Sequence, residues 1–354
     1  MKQQILLATF AICLVARPGF AIPPAIYSDG RPQAHLRLDA RDQGVVLRHG
    51  GGPGDCDILG AREAIVFEDA GNYYLHYNGA GKKGWLTCLA TSKDLVHWEK
   101  RGSVLDFGRP GSPDSASASS SWVIHDGKWW HMFYLGTPNV SPAPDYIPMF
   151  PYQTFKARSR SPMGPWEKQY DAAPFTVQPG TYYSATASPG YIVKHNGEFL
   201  MFFSAATPYP GIKRTLGLAR AKKLDGPWVV QAEPILPPEE QIENTSLYYE
   251  PKNKTWFLFT DHIGINERKG EFTDAVWVYW SKDLNHWNPR DKAVVLDGRN
   301  CNWSKNCIGM PSVAKFGKQL AIFYDGPGGE SVEHMNRDIG VTWLELPLTA
   351  PERD

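Results

Sequence analysis

Four carboxylates of the 354-residue chain stand in short polar stretches just ahead of strand-like segments. They are Asp57 and Glu63 in residues 54–67, Asp114 in 113–117, and Glu243 in 239–248. A pair of carboxyl groups, one protonated and one ionised, is the equipment of general acid–base chemistry. Other polar side chains hold comparable positions. Arg62 adjoins Glu63, Asp261-His262 and Asp325 follow expected strands, and Tyr182 and Tyr183 precede one. No Gly-rich phosphate cradle, Ser-His-Asp arrangement or nucleotide fingerprint stands above background. With 37 Lys+Arg against 37 Asp+Glu, the chain offers no electrostatic footprint for nucleic acid or an anionic membrane surface. At 42% hydrophobic and 13% aromatic residues it is also too apolar to be disordered.

The elements that must position these groups repeat along the chain. Ser92-Lys93-Asp94-Leu95-Val96-His97-Trp98 recurs as Ser281-Lys282-Asp283-Leu284-Asn285-His286-Trp287, and shorter versions end at Trp166 and Trp228. The four tryptophans are 68, 62 and 59 residues apart, a period that marks a repeat architecture. Each unit carries two alternating strands joined by a turn, at 64–77, 121–134, 190–203, 246–259 and 311–324. Asp126-Gly127 and Asn196-Gly197 are hairpin signals, because both pairs tolerate positive φ. A third strand follows each hairpin, and no helical periodicity of useful length intervenes. Five four-stranded units predict an all-β fold, a five-bladed β-propeller, in which radial repetition protects the sheet edges. The last unit ends at its third strand, so residues 33–48 are expected to supply the missing outer strand and close the ring. Residues 22–354 then form a single domain.

Residues 1–21 read as a secretory leader, with Lys2, an apolar run over 5–15 and Gly19-Phe20-Ala21 as the cleavage site. No stretch is long enough to insert in a membrane as a helix. The expected location is secreted or periplasmic. Cys56, Cys88, Cys301 and Cys307 then permit two disulfides. Cys301 with Cys307, closing a short loop, is the first expectation, leaving Cys56 with Cys88.

A hairpin ending in Tyr-Tyr-Leu-x-Tyr followed by Ser-x-Asp-Leu-x-x-Trp resembles the blade of five-bladed glycoside hydrolases, the family 43 enzymes and their relatives in families 32, 62, 68, 117 and 130. The resemblance implies a carbohydrate substrate from plant or algal poly- or oligosaccharides, cleaved with an acid/base pair of carboxylates and inversion. In family 43 the base opens the first inner strand. The matching position here is Glu63, a Glu where that family has Asp, and Asp57 lies six residues earlier. The family's acid heads a later inner strand as Glu-Gly-Pro-x-Leu-Tyr, and Glu243-Asn244-Thr245-Ser246-Leu247-Tyr248 is similar. A third family carboxylate should open blade three, where this chain has Ser188. Asp114, before blade two on the same face, is the candidate to compensate. Arg62, His262, Tyr182, Tyr183 and Asp325 are candidates for substrate binding, and the Pro-rich loop 137–155, with Tyr146, Phe150 and Tyr152, for a wall that suits exo action. The resemblance implies no cofactor and allows a structural cation on the propeller axis, for which no ligand set stands out. Two alternatives remain open: a non-catalytic carbohydrate-binding propeller, and a phosphorylase resembling family 130. The latter needs a basic pocket, for which Arg62, Lys213 and Arg214 are the loop candidates.

Overall fold

The alternating segments fold as strands, and the computed structural model describes residues 30–172, 174–266 and 270–352. The leader expected at 1–21 lies outside the described residues. The described chain begins with β1 (Leu36–Arg37) and β2 (Arg41–Leu47). A first unit follows: β3 (Gly60–Asp69), β4 (Asn72–Gly81), β5 (Gly84–Ser92) and β6 (Glu99–Ser103). The second is β7 (Ser117–His125), β8 (Trp130–Thr137), β9 (Gln153–Ser159) and β10 (Glu167–Lys168). The third is β11 (Thr186–His195), β12 (Glu198–Ala206), β13 (Arg214–Ala221) and β14 (Val229–Val230). The fourth is β15 (Ile242–Glu250), β16 (Thr255–Asn266), β17 (Gly270–Ser281) and β18 (Lys292–Asp297). The last comprises β19 (Ser312–Phe316), β20 (Gln319–Gly326) and β21 (Asp338–Glu345).

Within each unit the strands pair antiparallel in sequence order. The first two units merge into one eight-stranded sheet through a short parallel pairing of Trp85 and Leu86 with Ser117 and Ala118. β2 pairs antiparallel with β21 and gives the last unit its outer strand, while β1 adds in parallel to β18.

The turns far from the candidate site form where the sequence signals them. Asn196 and Gly197 take φ of 49° and 82° between paired His195 and Glu198. Two successive positive φ values match the twist of the flanking strands, which is why Asn-Gly serves there. The Ser-x-Asp-Leu-x-x-Trp repeat builds the connection from third to fourth strand. Ser92 Oγ accepts the Asp94 and Leu95 amides, Asp94 Oδ1 accepts those of Val96 and His97, and the Trp98 indole donates to Leu95 O. The second copy repeats the scheme around Asp283 and Trp287. The motif is therefore a self-satisfied corner, with side chains replacing backbone partners.

The core lies between facing sheets. One apolar cluster joins the third and fourth units through Phe202, Leu218, Leu258 and Trp277. Another joins the fourth and last units through Phe257, Val278, Ile322 and Tyr324. Leu75, Tyr77, Phe323 and Val341 join the last unit to the first, and Phe133 packs with Phe199 and Phe203 between the second and third. Each unit thus buries its faces against its neighbours.

The cysteines pair as Cys56–Cys88, tying the segment before β3 to β5. The expected Cys301–Cys307 bridge is absent, and both thiols are free and buried. Cys301 Sγ instead sits beside the Tyr324 hydroxyl and accepts the Ser304 amide, while Cys307 Sγ meets Thr273 Oγ1. Proximity in sequence does not turn the two sulfurs toward each other.

Candidate active site

The innermost strands of the first four units share one irregularity. Arg62 pairs with Asn78 and Ile65 with His76, so Glu63 and Ala64 together oppose Tyr77. The same two-against-one bulge occurs at Ser120-Ser121, Pro189-Gly190 and Asn244-Thr245. Glu63, Ser120 and Asn244 take φ of 51°, 48° and 57°. Left-handed backbone costs a non-glycine residue roughly 1–2 kcal/mol, and bulges re-aim side chains near functional sites. Gly190 meets a tighter demand, since a Cβ there would lie 1.7 Å from Phe202 O.

These bulges open on a cavity of about 470 Å³. Two sets of residues line it. Arg62-Glu63, Ser119-Ser120, Ser188-Pro189 and Glu243-Asn244 head the innermost strands. Trp85, Arg214 and Glu271 stand at the starts of the third strands β5, β13 and β17, and His334 comes from the β20–β21 connection. Ile147, Pro148, Met149, Phe150 and Tyr152 form a wall, held by the Thr137 hydroxyl donating to Met149 O and the Asn139 amide to Phe150 O. The Trp85 indole donates to Asp145 O and ties that wall to the first unit.

Glu243 and Glu271 share Arg214. Arg214 Nη1 donates to Glu243 Oε2, and its Nε and Nη2 reach Glu271 Oε2 at 3.2 and 3.0 Å. Burial raises the Glu243 carboxyl above the usual range. Arg214 opposes this, while the Glu271 and Glu63 charges reinforce it. Directly across the ladder from Glu243 stands Asp261, fully buried, with neither oxygen in a hydrogen bond of normal geometry among the described residues. Burial, and then the Glu243 charge, push Asp261 well above the carboxylate range, against a smaller pull from Asn244.

Glu63 is set differently. Its Oε2 accepts from Asn78 Nδ2 at 2.7 Å and from the Ser120 hydroxyl, leaving Oε1 toward Arg62 at 3.8 Å. Its amide donates to Asp325 Oδ2 at 2.8 Å, and Arg337 Nη1 donates to Asp325 Oδ1 at 2.8 Å. The left-handed conformation of Glu63 is thus fixed by a buried ion pair behind it. One group with a favoured proton and one acceptor carboxylate face one cavity, an arrangement able to donate a proton on one side and accept one on the other.

The structure separates the other candidates from this cavity. Asp57 is buried under Lys100 Nζ at 2.5 Å and the Tyr77 hydroxyl at 3.1 Å. Asp114 has the same partners by type, Lys168 Nζ at 2.6 Å and the Tyr134 hydroxyl at 2.9 Å. Glu240 repeats the scheme with Lys292 and Tyr279. Each is an acid–Tyr–Lys clasp fastening the chain as it enters an innermost strand. Asp325 supports Glu63 from behind, with no exposed surface. His262 is buried, stacked on Trp277 at 4.0 Å with Nδ1 bonded to Asp274. Tyr182 and Tyr183 pack on Phe203 and spend their hydroxyls on Gln231 O and Gln178 Oε1. Lys213 points to Glu239 at 3.6 Å, outside the cavity. Arg62, Glu63, Arg214 and Glu243 are the candidates brought together, with Phe150 and Tyr152 of the expected wall but not Tyr146. Trp85, Glu271 and His334 were not singled out from sequence, although Trp85 and Glu271 open third strands and His334 lies just ahead of one. Among the described residues, no group of three or more His, Cys, Asp or Glu is arranged to hold a metal.

No family model matches the chain. A 1,2-beta-oligomannan phosphorylase from Thermoanaerobacter sp. (strain X514) is 38% identical over 53 residues, which span 14% of this chain and 18% of that relative. Solved structures match over most of the chain. A glycoside hydrolase has a TM-score of 0.64 at 15% identity, covering 89% of this chain and 96% of its own. A family 117 glycoside hydrolase from Zobellia galactanivorans has a TM-score of 0.60 at 14% identity, covering 86% and 90%. A thermostable family-43 glycoside hydrolase has a TM-score of 0.57 at 13% identity, covering 87% and 98%. Similarity at this level is one of fold: the chain is an all-β propeller like these proteins.

Proposed function

We propose that the chain is an exported glycoside hydrolase on a single five-bladed propeller domain, acting on plant or algal poly- or oligosaccharides. The observation that carries this reading is the pairing of Glu243 with Glu63 across one cavity. Glu243 gives its proton to the glycosidic oxygen as the C–O bond breaks. Glu63 takes a proton from water, whose oxygen attacks the anomeric carbon with inversion. The fold likeness to glycoside hydrolases supports the reaction class. A cavity of about 470 Å³ behind the 147–152 wall suits exo attack on a chain end better than an open cleft. The Cys56–Cys88 bridge is compatible with export, and among the described residues no helix is long and apolar enough to cross a membrane.

Glu243→Gln and Glu63→Gln test the pair. Each is expected to lower kcat by about 10²–10⁴-fold on an unactivated oligosaccharide while the fold survives. Because the Glu243 carboxyl is raised and acts protonated, wild-type activity falls as pH rises through its value, and Glu243→Gln loses that limb. Retained turnover in Glu243→Gln removes it as the acid, and NMR of the first-formed anomer checks inversion. A second reading, phosphorolysis, is favoured by the short similarity to the oligomannan phosphorylase. It predicts cleavage that depends on inorganic phosphate.

A further inference from the structure

The cavity has two unlike corners. At the third and fourth units all three nitrogens of the Arg214 guanidinium donate to Glu243 or Glu271. At the seam of the first and last units the donors are idle. Arg62 lies 5.5 Å from the Trp85 ring centroid, with its side chain 13% exposed. Its nearest carboxylate oxygens are Glu63 Oε1 at 3.8 Å and Asp325 Oδ1 at 4.0 Å, both beyond hydrogen-bond reach. Asp325 Oδ1 already serves Arg337, and Glu63 has turned its other oxygen to Asn78 and Ser120. The buried Arg62 Nε has no partner. A guanidinium presents five N–H donors in a planar fork, and among the described residues this one uses none.

His334 reaches the same seam from the β20–β21 connection, and its ring has no hydrogen bond among the described residues. Burial, with the charges of Arg62, Arg337 and Arg214, keeps its imidazole neutral by lowering it to about 2. The ring therefore adds no charge of its own, yet can offer one N–H beside the Arg62 fork. Neutral sugar hydroxyls can accept from the fork too, but an oxyanion accepts two parallel N–H bonds from it and adds its charge to both.

We propose that the Arg62–His334 corner is an oxyanion subsite, seating a carboxylate or similar acidic group next to the sugar ring held between Glu63 and Glu243. The proposal rests on the glycosidase reading and deepens it by naming the substrate class, a saccharide with an acidic substituent at the cleaved end. The same chemistry would accept free inorganic phosphate. In that case a phosphate oxygen replaces water at the anomeric carbon, Glu243 protonates the leaving oxygen, and a sugar 1-phosphate forms.

Equilibrium binding separates these sources without requiring turnover. The full chain is titrated calorimetrically, at constant ionic strength, with galacturonate and glucuronate, with galactose and glucose, and with inorganic phosphate. A uronate is expected to bind about 10-fold or more tighter than its neutral parent. That preference should vanish in Arg62→Met and weaken in His334→Gln. Should Arg62→Met fail to fold, as judged by circular dichroism, His334→Gln at its loop position carries the test. Phosphate binding lost in the same variants, without a uronate preference, upholds the subsite and assigns it to the free ion. Equal binding of uronates and neutral sugars without phosphate binding overturns the proposal, as does a preference that survives both substitutions. Loss of the glycosidase reading alone would show as uronate binding intact with no bond cleaved in any oligosaccharide.

Discussion

At the residue scale, Glu63 and Glu243 occupy different steps of equivalent bulges in two units. Glu63 is the left-handed bulge residue itself, whereas Glu243 stands one place earlier, paired with Asp261. Residue type and place at a strand head were readable in the sequence, and so was the nearness of Arg62 to Glu63. The protonation bias of Glu243 was not, because it depends on burial and on Arg214 and Glu271, which come from other strands. Asp261 shows the same dependence and leads to a pH prediction. Its folded value lies above the unfolded value of about 3.9. The folded state therefore holds the proton more tightly, and stability declines as pH rises from about 4 through the folded value. Asp261→Asn removes that decline. The variant should gain stability relative to wild type with rising pH, as measured by urea unfolding across the range. A difference between the two that stays constant with pH would show that Asp261 is not held protonated.

At the element scale, the recurring device is the acid–Tyr–Lys clasp. Asp57 and Asp114 looked functional from sequence because they precede inner strands on the site's face, as a catalytic carboxylate would. The Tyr and Lys partners lie 20 and 43 residues from Asp57, and 20 and 54 from Asp114. No local pattern links such positions. The clasp predicts a dissociation of stability from activity. Asp114→Ala leaves Lys168, half-buried, without its acid, and breaking a fully buried pair costs about 3–5 kcal/mol, an upper bound here. Calorimetry should show a clearly lowered Tm, while kcat at temperatures where the variant stays folded remains near wild type. A large fall in kcat at unchanged Tm would return Asp114 to the site. The hairpins and Trp corners, by contrast, were legible because their hydrogen bonds close within a few residues.

At the scale of the whole molecule, β2 completes the last sheet and Asp42 locks it in place. Asp42 Oδ1 accepts the Tyr324 hydroxyl at 2.5 Å, and its Oδ2 accepts the Asn302 amide at 2.6 Å. A chain beginning after residue 47 would expose β21 as an open edge and lose these contacts. It should lose cooperative thermal unfolding by calorimetry and tend to self-associate. A sharp transition near the wild-type Tm would mean that this strand does not hold the ring together. The sequence by itself determined the strands, their turns, the repeat and the need for an outer strand from the N-terminal segment. Those features rest on period-two alternation and on short-range turn chemistry, which are properties of neighbouring residues. Only the tertiary structure decided which carboxylates face the cavity, which are fastened under lysines, which cysteines pair, and that Arg62 and His334 line the same cavity. These outcomes depend on where strands from different units converge, and sidedness at a bulge turns on a single residue of register.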